Sequence, residues 1–400
     1  MEFTHAPNSP EEFTELANQL DKLLNSQKQN RLLELSRFGR QHGFLDFSLR
    51  SKAYMMLLSI SEDDLENNQI ALSTSEDDES NDVIVNDAHR SFLGYKEMAK
   101  VPQSDLAIKR KELSQILHYF FKRHKSLSYY QGLNNFGELF IMVFGKSLAY
   151  LFLEKYSLKY LRSYLKTEDF ESEVKNQIFI TLHILDKELP EYRQILGISE
   201  SGDNAQERLG FIVSWIVTWF AYKMKNLDNI FRNFDYIMCS PKHAISIMVS
   251  LVIRQLITKH NLKPGSEDED IFVAFYSTDL DWINWPLVHQ QASILEQTED
   301  YGSLDYRKSD SRVTKILHGW KMKLIGMRES YRENKERKMM KATLDKYGDK
   351  PDNSDSDHAP KPKQPDQPSP GNQTFTQKIK SGGSNLLSKG LQFGRSFFTK

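Results

Sequence analysis

The chain has 400 residues, with 53 Lys and Arg against 54 Asp and Glu, a balance that excludes a surface built throughout to neutralise a phosphate backbone. Its one cysteine, Cys239, excludes an intramolecular disulfide and any multi-cysteine zinc site, and a reducing compartment is the simplest setting. A hydrophobic share of 39% and a mean hydropathy of -0.57 require solvated segments, while 12% aromatic residues call for a substantial core.

Residues 1–10 read as an N-terminal tail without the basic-then-apolar pattern of a secretory signal. Ser9 is a good N-cap, followed by Pro10 at the first helical position and Glu12 to close a capping box. Residues 11 to 60 then predict two or three helices, the first with Leu16, Leu20, Leu23 and Leu24 along one stripe. The acidic stretch 61–82 reads as a mobile, solvated loop inserted into a domain that spans 11–345. Leu113, Ile116, Leu117, Phe120 and Phe121 mark one face of a further helix. The most apolar window, Phe211 to Tyr222, is interrupted by Ser214 and Thr218 and falls short of the roughly 20 residues that a bilayer span needs, so it predicts a buried helix. Strand-like alternation is absent and the expected fold is all-α. The stretch Arg307 to Lys341, with twelve Lys and Arg against four Asp and Glu, predicts a basic helix. Residues 346–373 form a Pro-rich, disordered linker by composition. The tail 374–400 carries five cations and no acid.

No Gly-rich phosphate loop, dinucleotide-binding glycine pattern, zinc-protease helix or nucleophile elbow occurs, and the histidines lack metal-ligand spacing. Two short segments stand out. Ile84 to Arg90 (IVNDAHR) places Asp87 three residues before Arg90, so that on a helical turn the carboxylate can hold the guanidinium. Tyr129 to Asn134 (YYQGLN) precedes an apolar helix, and Gly132 there suggests a tight turn that presents Gln131. Each alone is compatible with an ordinary salt bridge or an ordinary turn with core tyrosines.

Together the two segments resemble the TBC domain of Rab GTPase-activating proteins, whose I-x-x-D-x-x-R and Y-x-Q-G motifs are matched by Ile84, Asp87 and Arg90 and by Tyr129, Gln131 and Gly132. The likeness covers roughly residues 43 to 300. Gly43 to Leu58 is similar to the family's opening motif, with Arg50 in place and Tyr54 where tryptophan is usual, a departure expected to affect packing more than chemistry. Gly210 to Phe220 resembles the third motif, Phe231 to Asp235 (FRNFD) the helix after it with Phe234 in place of tryptophan, and Asp279 to Trp282 (DLDW) a later signature. Leu127 to Phe144 and Leu209 to Tyr222 look most like the membrane-associated subgroup that acts on the Rab of ER-to-Golgi traffic, although the transmembrane anchor in which that subgroup tends to end is not read in this sequence.

The resemblance implies a helical fold of two packed subdomains and a Rab-type GTPase in its GTP form as partner, with Mg²⁺ and GTP bound by that partner and no cofactor of the chain's own. It implies that Arg90 and Gln131 act in trans as arginine and glutamine fingers, that Asp87 orients Arg90, and that Tyr129 and Gly132 shape the turn carrying Gln131. Loss of either finger would favour a catalytically inactive scaffold, and both are present. Nucleic acid is not an expected partner, and the expected location is the cytoplasm, peripheral to ER or Golgi membranes. On a helical wheel Phe375, Ile379, Leu386, Leu387, Leu391, Phe393, Phe397 and Phe398 fall within about half the circle. The opposite side is mostly Ser, Thr, Gln and Asn, the pattern of a helix that lies in a membrane surface through those apolar residues. Gly382 and Gly383 favour a disordered tail instead.

Overall fold

The structure is a computed structural model that describes residues 9–61, 63–65, 82–309, 311, 313, 314 and 317. Most of the acidic stretch 61–82, nearly all of the basic stretch after 309, the linker 346–373 and the tail 374–400 with its eight apolar residues lie outside the described residues. Every regular element among the described residues is helical, as the lack of strand-like alternation predicts.

The helix α1 (Pro10–Leu24) begins as expected: the Ser9 side chain accepts from the Glu12 amide at 3.2 Å, and Leu16, Leu20 and Leu24 are buried. It packs on α2 (Arg31–His42) and on α3 (Phe47–Leu57), whose N-cap Asp46 accepts from the Leu49 amide at 2.9 Å. The opening half of the chain is tied to a much later helix, α9 (Leu227–Met238), by one carboxylate. Asp235, fully buried, accepts from the Phe44 amide at 2.9 Å, from Arg50 Nη2 at 3.0 Å and from Tyr54 Oη at 2.8 Å. A buried charge is tolerated only when paired and hydrogen-bonded, and Asp235 is both. Tyr54 therefore contributes a hydrogen bond as well as the packing role expected of it.

Between these ends run α4 (Asp82–Arg90), α5 (Gln103–Arg123), α6 (Leu133–Tyr156), α7 (Thr167–Glu188), α8 (Gly210–Thr218), α10 (Ala244–Lys259) and α11 (Trp285–Thr298). The stripe on α5 buries Leu113, Ile116, Leu117 and Phe120 against α6, while Phe121 turns away and meets the Tyr129 ring edge-on at 5.9 Å. The two helices approach so closely that a Cβ at Gly137 would lie 2.6 Å from Leu113 Cδ1, so a methyl group there would force the Leu113 side chain to shift. The run Leu133–Leu165 is long and apolar enough to cross a membrane by composition, but 61% of its most apolar window is buried among the other helices, which makes it a core element.

The helix predicted over Phe211 to Tyr222 stops at Thr218. Trp219 and Phe220 take left-handed backbone angles, φ 49° and 66°, followed by a 3₁₀ turn at Ala221–Lys223. Such angles cost of order 1–3 kcal/mol each for a non-glycine residue. What offsets them is aromatic burial: Trp219 lies 5.1 Å from Tyr156 and 6.0 Å from Phe136, while Phe220 meets Trp285 at 5.2 Å.

Candidate functional site

Helix α4 buries Ile84, Asp87 and Ala88 on one face and packs on α5 and α6, which leaves Arg90 at its last turn with its side chain 37% exposed. A cation at a helix C-terminus sits favourably against the macrodipole. Asp87 Oδ1 accepts from Arg90 Nη2 at 2.5 Å, the i, i+3 contact that the spacing predicts.

Gln131 comes to the same place from the opposite direction. Gly132, at φ 114°, is the N-cap of α6, in a region that a side chain would make costly, and Asn135 Nδ2 donates to its carbonyl at 3.0 Å. Tyr130 fixes the turn from below by donating to the Val217 carbonyl of α8 at 3.0 Å. So held, Gln131 Nε2 donates to Asp87 Oδ1 at 3.1 Å, the same oxygen that receives Arg90. Tyr129 Oη donates to the other oxygen, Oδ2, at 2.7 Å. Burial first, and the adjacent Asp87 carboxylate second, push the Tyr129 hydroxyl well above its ordinary pKa, so it remains a donor.

The structure thus brings Asp87, Arg90, Tyr129, Gln131 and Gly132 together, and it adds residues to which the motifs assign no role. Asn134 Nδ2 donates to Ser91 Oγ at 3.1 Å, and Ser91 Oγ donates back to the Asp87 carbonyl at 2.9 Å, which links the Gln131 turn to the end of α4. Tyr222 lies within the field of Arg90, whose charge counteracts the rise in the tyrosine's pKa that burial causes. Asn134 stands inside the YYQGLN segment and could have been suspected there, whereas Ser91 and Tyr222 carry no local signal.

Chemically the site offers a planar cationic fork and a side-chain amide, half-exposed and side by side. Among the described residues no three His, Cys, Asp or Glu side chains gather as metal ligands would. A guanidinium spends one of five donors on Asp87, and an amide spends one of two, so each keeps polar groups to offer a bound molecule. Such a pair can stabilise negative charge and hold a water, and it has no nucleophile of its own.

Comparison with known proteins bears on the family and the fold. The chain is 28% identical over 241 residues to GTPase-activating protein gyp10 of Schizosaccharomyces pombe, covering 59% of each chain. It is 27% identical over 146 residues to human TBC1 domain family member 20, covering 36% of this chain and 34% of that one. The matches therefore span only part of the length of these relatives. The fold is similar, at a TM-score of 0.55 and 10% identity, to the crystal structure of the Ypt/Rab-GAP domain of Gyp1p, covering 71% of this chain and 98% of that one. The family model for the Rab-GTPase-TBC domain matches residues 47–261, a span that holds both Arg90 and Gln131 and more than half of the chain, so the protein belongs to the Rab-GTPase-TBC domain family.

Proposed function

We propose that the protein accelerates GTP hydrolysis by a Rab-type small GTPase, with Arg90 and Gln131 completing the partner's active site. The observation that supports this most is the convergence of Arg90, from the end of α4, and Gln131, from the turn before α6, on a single oxygen of Asp87. A GTPase alone is slow because charge on the transferred phosphoryl group is incompletely stabilised and the attacking water is loosely held. The remaining N–H groups of the Arg90 fork answer the first need, and the Gln131 amide answers the second. Asp87 holds the two side by side, and the Tyr129 hydroxyl secures Asp87.

The GTP-bound, Mg²⁺-loaded Rab is then the substrate, and the likeness of residues 127–144 and 209–222 to the subgroup serving ER-to-Golgi traffic makes that Rab the first to test. The chain would act in vesicle transport at the cytoplasmic face of ER or Golgi membranes. An arginine supplied in trans is worth roughly 10³ to 10⁵ in rate. The test is single-turnover GTP hydrolysis across a panel of Rab proteins. Arg90→Ala and Arg90→Lys should each lose about 10³-fold or more of the stimulation, the lysine because it lacks the fork. Gln131→Ala should also be severe. Wild-type stimulation by Arg90→Ala on the best substrate would overturn the reading, and no stimulation of any Rab by the intact chain would favour a scaffold.

A further inference from the structure

A second carboxylate, Glu138, lies beneath the arginine helix, and nothing in the two motifs accounts for it. It is on α6, about two turns beyond Gly132, and is 4% exposed in a run that otherwise reads as hydrophobic core. Its Oε2 accepts from the Phe92 amide at 2.6 Å and its Oε1 from Tyr95 Oη at 3.1 Å. Phe92 and Tyr95 lie just past Arg90, and both are buried. Phe92 holds the left-handed angle φ 67° that turns the chain out of α4.

This placement breaks two local rules. A carboxylate buried in an apolar core costs several kcal/mol in desolvation. An anion near a helix C-terminus also opposes the macrodipole. A residue that violates local preference without a structural gain elsewhere points to function. What Glu138 does secure is the amide of the one strained residue between Arg90 and the rest of the chain.

The other side of that segment is held as well. Lys225 Nζ donates to the Leu93 carbonyl at 3.0 Å and lies 4.6 Å over the Tyr95 ring. The Lys225 and Asn226 amides in turn donate to Asp281 at 2.9 and 3.0 Å, within the DLDW segment. Tyr95 is thus gripped at its hydroxyl by Glu138 and across its ring by Lys225. Ser91, between Arg90 and Phe92, receives Asn134 of the same helix α6.

We infer that Glu138, with Lys225 as its counterpart, is a positioning residue for Arg90. Because α6 also begins at the turn that carries Gln131, this one helix fixes both fingers and hence their separation. Gln131 is set by its N-cap and Arg90 by the Glu138 tie to Phe92. Glu138 itself touches no reacting atom. The inference rests on the finger assignment for Arg90 and deepens it.

The test uses the full chain and single-turnover hydrolysis on the best Rab substrate, with three variants beside wild type and Arg90→Ala. Glu138→Val removes both acceptors, Glu138→Gln keeps one, Lys225→Met removes the charge, and each is also combined with Arg90→Ala. Glu138→Val should cut the maximal stimulated rate by ten-fold or more while the half-saturating concentration changes less than three-fold. Glu138→Gln should recover part of that rate and Lys225→Met should fall between. In the Arg90→Ala background the same changes should have no further effect, since the group through which they act is gone. Losses that persist undiminished in that background would overturn the inference, as would a wild-type rate in Glu138→Gln and Lys225→Met together. If Arg90→Ala alone kept wild-type activity, the finger reading would fail first and separately.

Discussion

Arg90 and Gln131 are ordinary polar residues until a shared acceptor makes them a pair, and buried carboxylates supply that service at several points of this chain. Asp87 gathers the fingers, Asp235 gathers Phe44, Arg50 and Tyr54, and Glu138 gathers Phe92 and Tyr95. Glu296 on α11 is a further buried carboxyl group, paired with Arg40. Burial pushes its carboxyl up to about 7, against the opposing pull of Arg40, with which it is paired, and of the Tyr236 hydroxyl. A carboxyl whose folded pKa lies above its unfolded value adds stability below the unfolded value and loses it as pH rises through the folded one. Wild type should therefore lose up to about 3 kcal/mol between pH 4.5 and 7 relative to Glu296→Gln, which lacks the titration. Urea midpoints of both proteins at pH 5 and pH 8 check this, and parallel behaviour would contradict it. At this scale the sequence was informative wherever a short motif carried the chemistry: Asp87 with Arg90, and Gln131 with Gly132. Asp235 appeared only as the end of FRNFD and Glu138 not at all, because what makes each matter is a partner many residues away.

Helices are the level at which the chain was most readable. The Leu113 to Phe120 stripe and the Ser9–Pro10 start both predict what forms, since each depends on neighbours in sequence. The end of α8 was not readable, because Trp219 and Phe220 leave the helix in exchange for aromatic partners on α6, α9 and α11. Helix packing also explains why α6 can act as a common support for both fingers: it lies hard against α5 at Gly137. Gly137→Ala should raise helix propensity locally and still destabilise the protein by about 1–3 kcal/mol, because Leu113 must yield to the new methyl group. A pair with Leu113→Ala should recover part of that loss in thermal unfolding if the contact is the cause. Additive losses would mean that the contact is not what constrains Gly137.

For the whole molecule, the family model's span of 47–261 falls inside the domain expected over 11–345. The tail 374–400 is where a membrane role is expected, through Phe375, Ile379, Leu386, Leu387, Leu391, Phe393, Phe397 and Phe398. Removing residues 374–400 should release the chain from liposomes in flotation and leave its stimulation of a soluble Rab unchanged. As a helix with a polar face of Ser, Thr, Gln and Asn, the tail would bind in a way that depends on lipid packing more than on anionic charge. Equal flotation with and without the tail would contradict the expectation.

If Arg90 and Gln131 act together in trans, taking the corresponding amide away from the partner should expose it. A small GTPase orients its water with a glutamine of its own. Replacing that residue with alanine should cripple intrinsic hydrolysis yet leave much of the rate stimulated by the wild-type chain, because Gln131 holds the water instead. The same GTPase variant with Gln131→Ala should show about 10²-fold less or lower, since no side-chain amide then remains at the water. If the GTPase variant lost all stimulation even with the wild-type chain, Gln131 would be a turn residue only and the two-finger account would be wrong.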